Sequence, residues 1–177
     1  MYKTTLYLPI EIKWRELNSL ILLSKFAAEN GLRIYLGSKL AINRLLKKKK
    51  TRAGIFIFKG GMKSEEILKI KKKINKFIIL DQEISPSCLD FQKMIRYRIW
   101  PGSERHIDRY YVIGQVAYKA GVKVFKKLSK KVIKTGWPRK DLSRNEFKFF
   151  YQKKIKKIKD KYGNFILFSS AFGYNSK

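Results

Sequence analysis

The chain has 177 residues, and 42 lysines and arginines against 13 aspartates and glutamates give it a formal net charge of +29. Apolar residues make up 45% of the sequence, which is enough for a hydrophobic core and excludes a disordered polybasic tail. The single cysteine, Cys88, excludes a disulfide framework, and no apolar run approaches the ~20 residues of a membrane span. The N-terminal residues lack the apolar region and cleavage site of a signal peptide, so we expect a cytoplasmic protein.

The first half of the sequence predicts alternating strands and helices. Runs of β-branched, aromatic or aliphatic residues predict strands, and apolar residues spaced three and four apart predict helices. The predicted elements are a strand at 4–10, a polar turn at 11–16, a helix at 17–30 that ends before Gly31, a strand at 32–37, a helix capped by Ser38, a strand at 53–58, a turn at 59–61, a helix from Ser64 to near Lys76 and a strand at 77–80.

The second half is less regular. A proline-containing loop and a short helix follow residue 84, and residues 97–102 predict a fifth strand. Residues 103–121 predict either a helix bent near Gly114 or a short strand at 110–113, and the sequence leaves this choice open. The remaining predicted elements are a strand that begins at Val132 and runs into a Gly-Trp-Pro turn, a long basic helix from Ser143 to Tyr162 ended by Gly163, and a final strand at 164–170.

Apolar strands that alternate with amphipathic helices predict a doubly wound α/β domain with a mainly parallel sheet. Ligands of such sheets bind beyond the carboxyl ends of the strands. Candidate functional residues are therefore expected in the turns at 11–16, 59–62, 81–86, 101–106 and 136–141.

Three of these turns carry residue types suited to ligand binding. Glu11 could act as a general base, with Lys13 and Arg15 binding a phosphate or carboxylate; the alternative is a surface turn with an internal ion pair. Asp81 and Glu83 could bind a metal or sugar hydroxyls, or could be ordinary acids at a helix start. The glycines of the third turn either allow a ligand to approach the backbone or form a plain turn; they are Gly60 and Gly61.

Other chemistries are disfavoured by what the sequence lacks. His106 is the only histidine, so a metal site built from several histidines is excluded and no metal is expected. A GxGxxG fingerprint and a Walker A motif are both missing, so no nucleotide cofactor is expected in this chain.

The positive charge has three interpretations. Lysine supplies 32 of the 42 basic residues, and most of the lysine runs fall on amphipathic patterns, which favours solvated helix faces. The second interpretation is attraction to an anionic membrane surface. A basic α/β module that binds nucleic acid is the alternative function, although nucleic acid is an unlikely partner because no RNP motif, zinc finger, GXXG loop or helix-turn-helix is recognisable.

Several short motifs occur in a characteristic order. The C-terminal motif T-G-x-P-R-x-D (135–141), followed by a helix and an apolar strand, resembles the crossover between the two Rossmann-like domains of GT-B glycosyltransferases and nucleotide-sugar epimerases. The full series resembles the bacterial surface carbohydrate (surface polysaccharide) biosynthesis family. Its other members are L-P-I-E-x-K-x-R-E-L (8–17), G-x-x-I-x-L-G (31–37), G-I-F-I-x-K (54–59), D-x-E (81–83), W-P-G-S-E (100–104) and F-I-L-x-S-S-x-F-G (165–173).

The resemblance implies the N-terminal half of a GT-B-like glycosyl- or polyol-phosphate transferase that is incomplete as a catalyst on its own. Residues 1–142 would form the acceptor-side domain, and residues 143–177 the crossover helix and first strand of an absent second domain. Glu11, Lys13 and Arg15 would line the cleft. The inter-domain crossover would be shaped by Gly136, Pro138, Arg139 and Asp141.

The same resemblance implies the partners. The expected ligand is a glycan or lipid-linked acceptor, and a nucleotide-activated donor is expected only with a second domain, which a separate chain could supply. We also expect peripheral attachment to the anionic inner face of the plasma membrane, where lipid-linked acceptors reside.

Overall fold

In the computed structural model, which describes residues 4–48, 52–84 and 89–168 apart from the side chains of residues 127 and 128, six strands form one sheet. All five pairings between neighbouring strands are parallel, in the order β2-β1-β3-β4-β5-β6. The predicted doubly wound, Rossmann-like α/β fold is therefore confirmed. The strands are β1 (Thr4–Ile10), β2 (Leu32–Ser38), β3 (Ile55–Phe58), β4 (Lys76–Leu80), β5 (Arg109–Ile113) and β6 (Val132–Thr135).

In the described part of the chain, one α-helix leads from each of the strands β1 to β5 to the next strand, and two further α-helices follow β6. The α-helices are α1 (Lys13–Glu29), α2 (Lys39–Lys47), α3 (Ser64–Lys71), α4 (Phe91–Arg98), α5 (Gly114–Val124), α6 (Pro138–Asp141) and α7 (Gln152–Tyr162). Short 3-10 helices occupy Ser103–His106, Lys126–Lys131 and Asn145–Phe150.

The order of the strands sets which face each helix covers. The chain moves from β1 to β2 in one direction and from β2 to β3 in the other, so right-handed crossovers place α1 and α2 on opposite faces. The main core lies between the sheet and helices α2 to α5, where aromatic residues of the strands are fully buried. These aromatic residues are Tyr7, Phe56, Phe77 and Tyr110. The reversal of direction makes the carboxyl ends of β1 and β3 the switch point of the sheet.

The predicted strand at 97–102 is wrong, and the alternative strand at 110–113 is right. Tyr97 and Arg98 are the last residues of α4, which begins after Asp90 caps it by accepting a 2.9 Å hydrogen bond from the Lys93 amide. Residues 101–106 therefore follow a helix rather than a strand, so they do not form one of the predicted strand-end turns. The fifth strand is β5, in which burial alternates along the chain, and Gly114 at φ +72° separates it from α5.

Two helix boundaries differ from the prediction. Helix α1 begins at Lys13 rather than residue 17, because the Glu16 carboxylate accepts a 2.8 Å hydrogen bond from the Glu11 amide and so stabilises the first turn. Helix α3 ends at Lys71 rather than near Lys76, because the Asn75 amide turns back to donate to the Gly54 carbonyl at 2.7 Å. The predicted Ser38 cap is confirmed by a 3.2 Å hydrogen bond from the Ala41 amide.

The chain divides into two compact units, Met1–Leu142 and Ser143–Lys177. In the second unit the predicted long helix is interrupted: a 3-10 helix rich in phenylalanine precedes α7, consistent with the lower helix propensity of aromatic residues. Ser143 caps neither segment, whereas Gly163 ends α7 as predicted. Residues 164–168 are not in a strand, and residues 169–170 of the predicted final strand lie outside the described residues, as does Cys88.

Candidate functional site at the carboxyl ends of the strands

The loops and helix starts beyond the carboxyl ends of the strands hold a set of charged side chains that contact one another. We call it the strand-end network. It contains four of the chain's thirteen acidic residues and five basic ones, and each of the nine forms an ion pair. Its members are Glu11, Glu16, Asp81, Glu83, Arg15, Lys39, Lys59, Arg98 and Arg139.

Glu11 and Lys59 meet at the switch point. The Lys59 ammonium lies 3.0 Å from Glu11 and 2.8 Å from the buried Glu16, and Lys39 lies 3.2 Å from Glu11. Partial burial acts to raise the pKa of Glu11, but the hydrogen bonds and charges of Lys59 and Lys39 outweigh it and leave the pKa below its ordinary value. A lowered pKa makes Glu11 a weak base, so it is better suited to accepting hydrogen bonds from hydroxyl groups than to removing a proton.

Glu83 joins three separate parts of the chain. Its carboxylate contacts Arg15 of α1 and, at 2.8 Å, Arg139 of α6, while Arg139 also donates to the Gln82 carbonyl at 2.9 Å. Arg15, Glu83 and Arg139, which come from three of the predicted strand-end turns, therefore contact one another at one end of the sheet. Lys13 lies beside them in the first turn of α1, but it is exposed and its ammonium lies 5.9 Å from the centre of the Trp14 ring.

Asp81 is fully buried and has a structural role. Its carboxylate accepts hydrogen bonds from Arg98 at 3.1 Å, from the Tyr110 hydroxyl at 3.0 Å and from the Glu83 amide at 2.9 Å. Burial raises the pKa of Asp81, and the Arg98 guanidinium opposes that rise. Burial also raises the pKa of Tyr110 well above its usual value, which keeps the phenol protonated as a donor.

The two glycines after β3 pack against the end of α4. Both have positive φ, and the Gly61 amide donates to the Arg98 carbonyl at 2.8 Å. A Cβ at Gly60 would lie 2.9 Å from that same carbonyl. The group that approaches these glycines closely is therefore the chain's own backbone at Arg98, and not a ligand.

The four predicted crossover residues surround the short helix α6. Gly136 precedes it, and a Cβ added there would meet nothing within 4 Å; Pro138 is the first residue of α6 and Asp141 its last. Only Arg139 is in the strand-end network. Partial burial lowers the pKa of Arg139, and the charges of Glu16 and Asp81 oppose this effect.

All three tryptophans of the chain lie at this end of the sheet. Trp14, in the first turn of α1, is 93% exposed. Trp100 is half-exposed and donates from its indole to the Gly61 carbonyl at 3.1 Å. Trp137 follows β6, and its indole nitrogen is buried without a hydrogen-bond partner in the described part of the chain.

Two further buried polar atoms at this end also lack hydrogen-bond partners within residues 4–48, 52–84 and 89–168. They are Oε1 of Gln82, a residue that is only 5% exposed, and Nε of Arg139. Gln82 lines a cavity of about 20 Å³ together with Glu16, Lys59 and apolar residues of β1, β3 and β4. Such a volume admits one water molecule or one hydroxyl group.

Several residues at this end of the sheet were not predicted from the sequence. Lys59 directly follows a correctly predicted strand, so the strand-end rule could have found it. Arg98 and Tyr110 were missed because their elements were wrong or unresolved in the prediction. Glu16 was assigned to a turn, although an acid in the first turn of a helix is a recognisable signal.

Replacing Glu11 with glutamine should lower stability only above acidic pH. The lowered pKa means that ionised Glu11 stabilises the fold above its unfolded pKa near 4.5, and that this contribution disappears as pH falls through the folded pKa. Since Glu11 is partly exposed, we expect a loss of about 1 kcal/mol or less at neutral pH. Urea denaturation at neutral and acidic pH measures it, and a difference of equal size at both would contradict the assignment.

No protein-family model, curated protein or solved structure matches the chain. Among residues 4–48, 52–84 and 89–168, no three histidine, cysteine, aspartate or glutamate side chains are grouped so that they could hold a metal ion. Within the same residues, no helix has the length and apolar character needed to cross a membrane.

Proposed function

We propose that the chain forms the acceptor-side half of a GT-B-like transferase in surface polysaccharide assembly and that its strand-end network binds the glycan part of an acceptor. The observation that carries this proposal is the balance of charge in the network. In a chain of net charge +29, five cations and four carboxylates are brought together and paired. Cations already held by carboxylates are poorly placed to recruit a polyanion, whereas paired charges offer donors and acceptors to a neutral, hydroxyl-rich ligand.

The tryptophans support the same ligand class. The faces of sugar rings carry C–H groups that pack against aromatic rings, and an indole combines an apolar face with a polar N–H group. Trp14 has the most exposed of the three rings. The unpartnered acceptor of Gln82 and donor of Arg139 add hydrogen-bonding capacity that a hydroxyl group could satisfy.

In the alternative function, nucleic-acid binding, the positive charge of the chain would contact phosphate groups directly. Phosphate-driven binding needs unpaired lysines and arginines and weakens steeply with salt. The five cations of the strand-end network are all paired, so they suit this role less well than exposed lysines elsewhere on the described surface. Under the proposal, the nucleotide-activated donor would bind a second domain, supplied by another chain or another part of the protein.

Replacing Trp14 with alanine should weaken glycan binding about two- to tenfold, the range expected for loss of one aromatic contact. Saturation-transfer NMR with neutral hexose and N-acetylhexosamine disaccharides measures binding to the full chain. Tyr162→Ala is the control, because Tyr162 is also an exposed aromatic residue at a helix end but lies in the second unit. Absence of binding to every sugar, or equal binding by both variants, would contradict the proposal. Salt-sensitive binding to single-stranded RNA in place of sugars would favour the nucleic-acid alternative.

A further inference from the structure

A second surface, which shares only Lys39 with the strand-end network, consists of a groove of about 370 Å³ between α2 and α3. We call it the α2–α3 groove. Its volume falls in the range of small-molecule sites. Four lysines surround it, and Glu66 is the only acid among the described residues that line it. The lysines are Lys39, Lys47, Lys69 and Lys73.

The lysines of the groove differ from those of the strand-end network. Lys39 belongs to both and is paired with Glu11. Lys47, Lys69 and Lys73 are exposed and form no ion pair with any residue in the described part of the chain. Their charges are therefore free to meet an anionic ligand.

The floor of the groove is apolar. Leu46, Met62 and Ile70 are buried along it, and Leu40 at its rim is 59% exposed. Between them, Oδ1 of Asn43 is buried and has no hydrogen-bond partner among the residues that the structure describes. The ligand that fits must carry negative charge, apolar surface and a hydrogen-bond donor.

We propose that the α2–α3 groove docks on the anionic phospholipids of a bilayer surface, with Lys47, Lys69 and Lys73 meeting the lipid phosphates and Leu40 entering the interface. Charge complementarity selects this occupant: unpaired ammonium groups around an exposed leucine match anionic headgroups above acyl chains. A hydroxyl-bearing headgroup such as phosphatidylglycerol can also donate to Asn43. This inference is independent of the proposed glycan binding and is tested without sugars.

The test is flotation of the full chain with vesicles of phosphatidylcholine alone or mixed with phosphatidylglycerol. Near physiological ionic strength the Debye length is about 8 Å, so the diffuse attraction of the whole +29 charge is screened and close contacts dominate. We expect binding only to the mixed vesicles. The triple substitution Lys47→Gln, Lys69→Gln and Lys73→Gln should weaken vesicle binding about tenfold or more, since each lysine near an anionic surface adds substantially to the free energy of binding.

A matched triple substitution tests whether vesicle binding depends on the lysines of the α2–α3 groove or only on the total charge of the protein. Lys119→Gln, Lys123→Gln and Lys130→Gln remove the same charge from exposed positions on and after α5, which packs on β5 and β6. This control should change vesicle binding by less than about twofold. Leu40→Ser, which keeps every charge, should weaken binding to phosphatidylglycerol vesicles. Equal effects of the two triple variants would overturn the proposal, as would indifference to lipid charge.

Two other occupants of the groove give different results. If the groove binds free phosphate compounds, soluble glycerol phosphate would displace the protein from vesicles and Leu40→Ser would have no effect. If the groove binds a second copy of the chain, the Lys47, Lys69 and Lys73 variant would retain vesicle binding but lose a dimer seen by size-exclusion chromatography. Either result would overturn the proposal.

Discussion

Replacing Arg98 with leucine should destabilise the protein by roughly 3–5 kcal/mol, because it leaves the Asp81 carboxylate buried without its counter-ion. Asp81 is fully buried, and Arg98 is the only cation that contacts its carboxylate among the residues that the structure describes. Arg98 also donates to the Lys59 carbonyl at 2.6 Å, so its loss removes a bond between α4 and the end of β3. Urea denaturation of the full chain, followed by circular dichroism, measures the loss.

The double variant Arg98→Leu/Asp81→Leu distinguishes an uncompensated charge from lost packing. Replacing both partners of a buried pair with apolar residues costs much less than removing one, so the double variant should be more stable than Arg98→Leu alone. If the double variant is the less stable of the two, the charge is not the cause. Because Asp81 keeps its carboxyl group without a counter-ion in Arg98→Leu, the stability of that variant should also depend on pH.

Loss of Arg98 should raise the pKa of Asp81 further in the folded state. The folded protein then holds this proton more tightly than the unfolded chain, so the stability of Arg98→Leu falls as pH rises through the raised folded pKa. The penalty relative to wild type should therefore be smaller at about pH 4 than at about pH 8. A penalty that does not change with pH would point to lost packing instead.

The sequence predicted most of the fold because most strands carry a local signal. Strands β1, β3 and β4 are continuous or nearly continuous apolar runs, as expected for strands covered on both faces. Residues 97–102 misled the prediction because Tyr97 and Ile99 favour strands in isolation, whereas Asp90 and the buried Ile95 commit the preceding segment to a helix. That outcome depends on packing against the sheet, which local propensity does not include.

The candidate site was predictable in its position but not in its pairings. The turns after the predicted strands contain Glu11, Arg15 and Glu83, and these residues were expected to lie together because the carboxyl ends of parallel strands meet at one edge of the sheet. The contacts of Glu83 with both Arg15 and Arg139, however, depend on the order of strands across the sheet and on α6 packing against α1. Neither is encoded in a short motif, so the balance of charge that carries the proposed function became visible only in the structure.

Gly54 makes the closest approach between β1 and the chain entering β3, and its replacement by alanine should be the most damaging glycine substitution in the first unit. A Cβ at Gly54 would lie 2.3 Å from the Thr5 carbonyl oxygen and 2.9 Å from the Thr5 Cβ. The nearest obstacle is backbone within the sheet, so no side-chain rotation relieves the contact. We expect a loss of about 2–3 kcal/mol, the upper part of the usual range for overpacking.

Gly136→Ala is the matched control for Gly54→Ala. A Cβ at Gly136 meets nothing within 4 Å, and the φ of Gly136 is not positive. Alanine should therefore leave stability unchanged or raise it by up to about 1 kcal/mol, because it lowers the conformational entropy of the unfolded chain. Thermal unfolding of both variants gives the comparison, and equal changes would contradict the close approach. Since Glu11 directly follows β1 and Lys59 directly follows β3, the strand separation that Gly54 permits also sets the 3.0 Å contact between them at the switch point. Gly54→Ala should therefore weaken the proposed glycan binding as well as stability, whereas Gly136→Ala should leave both intact.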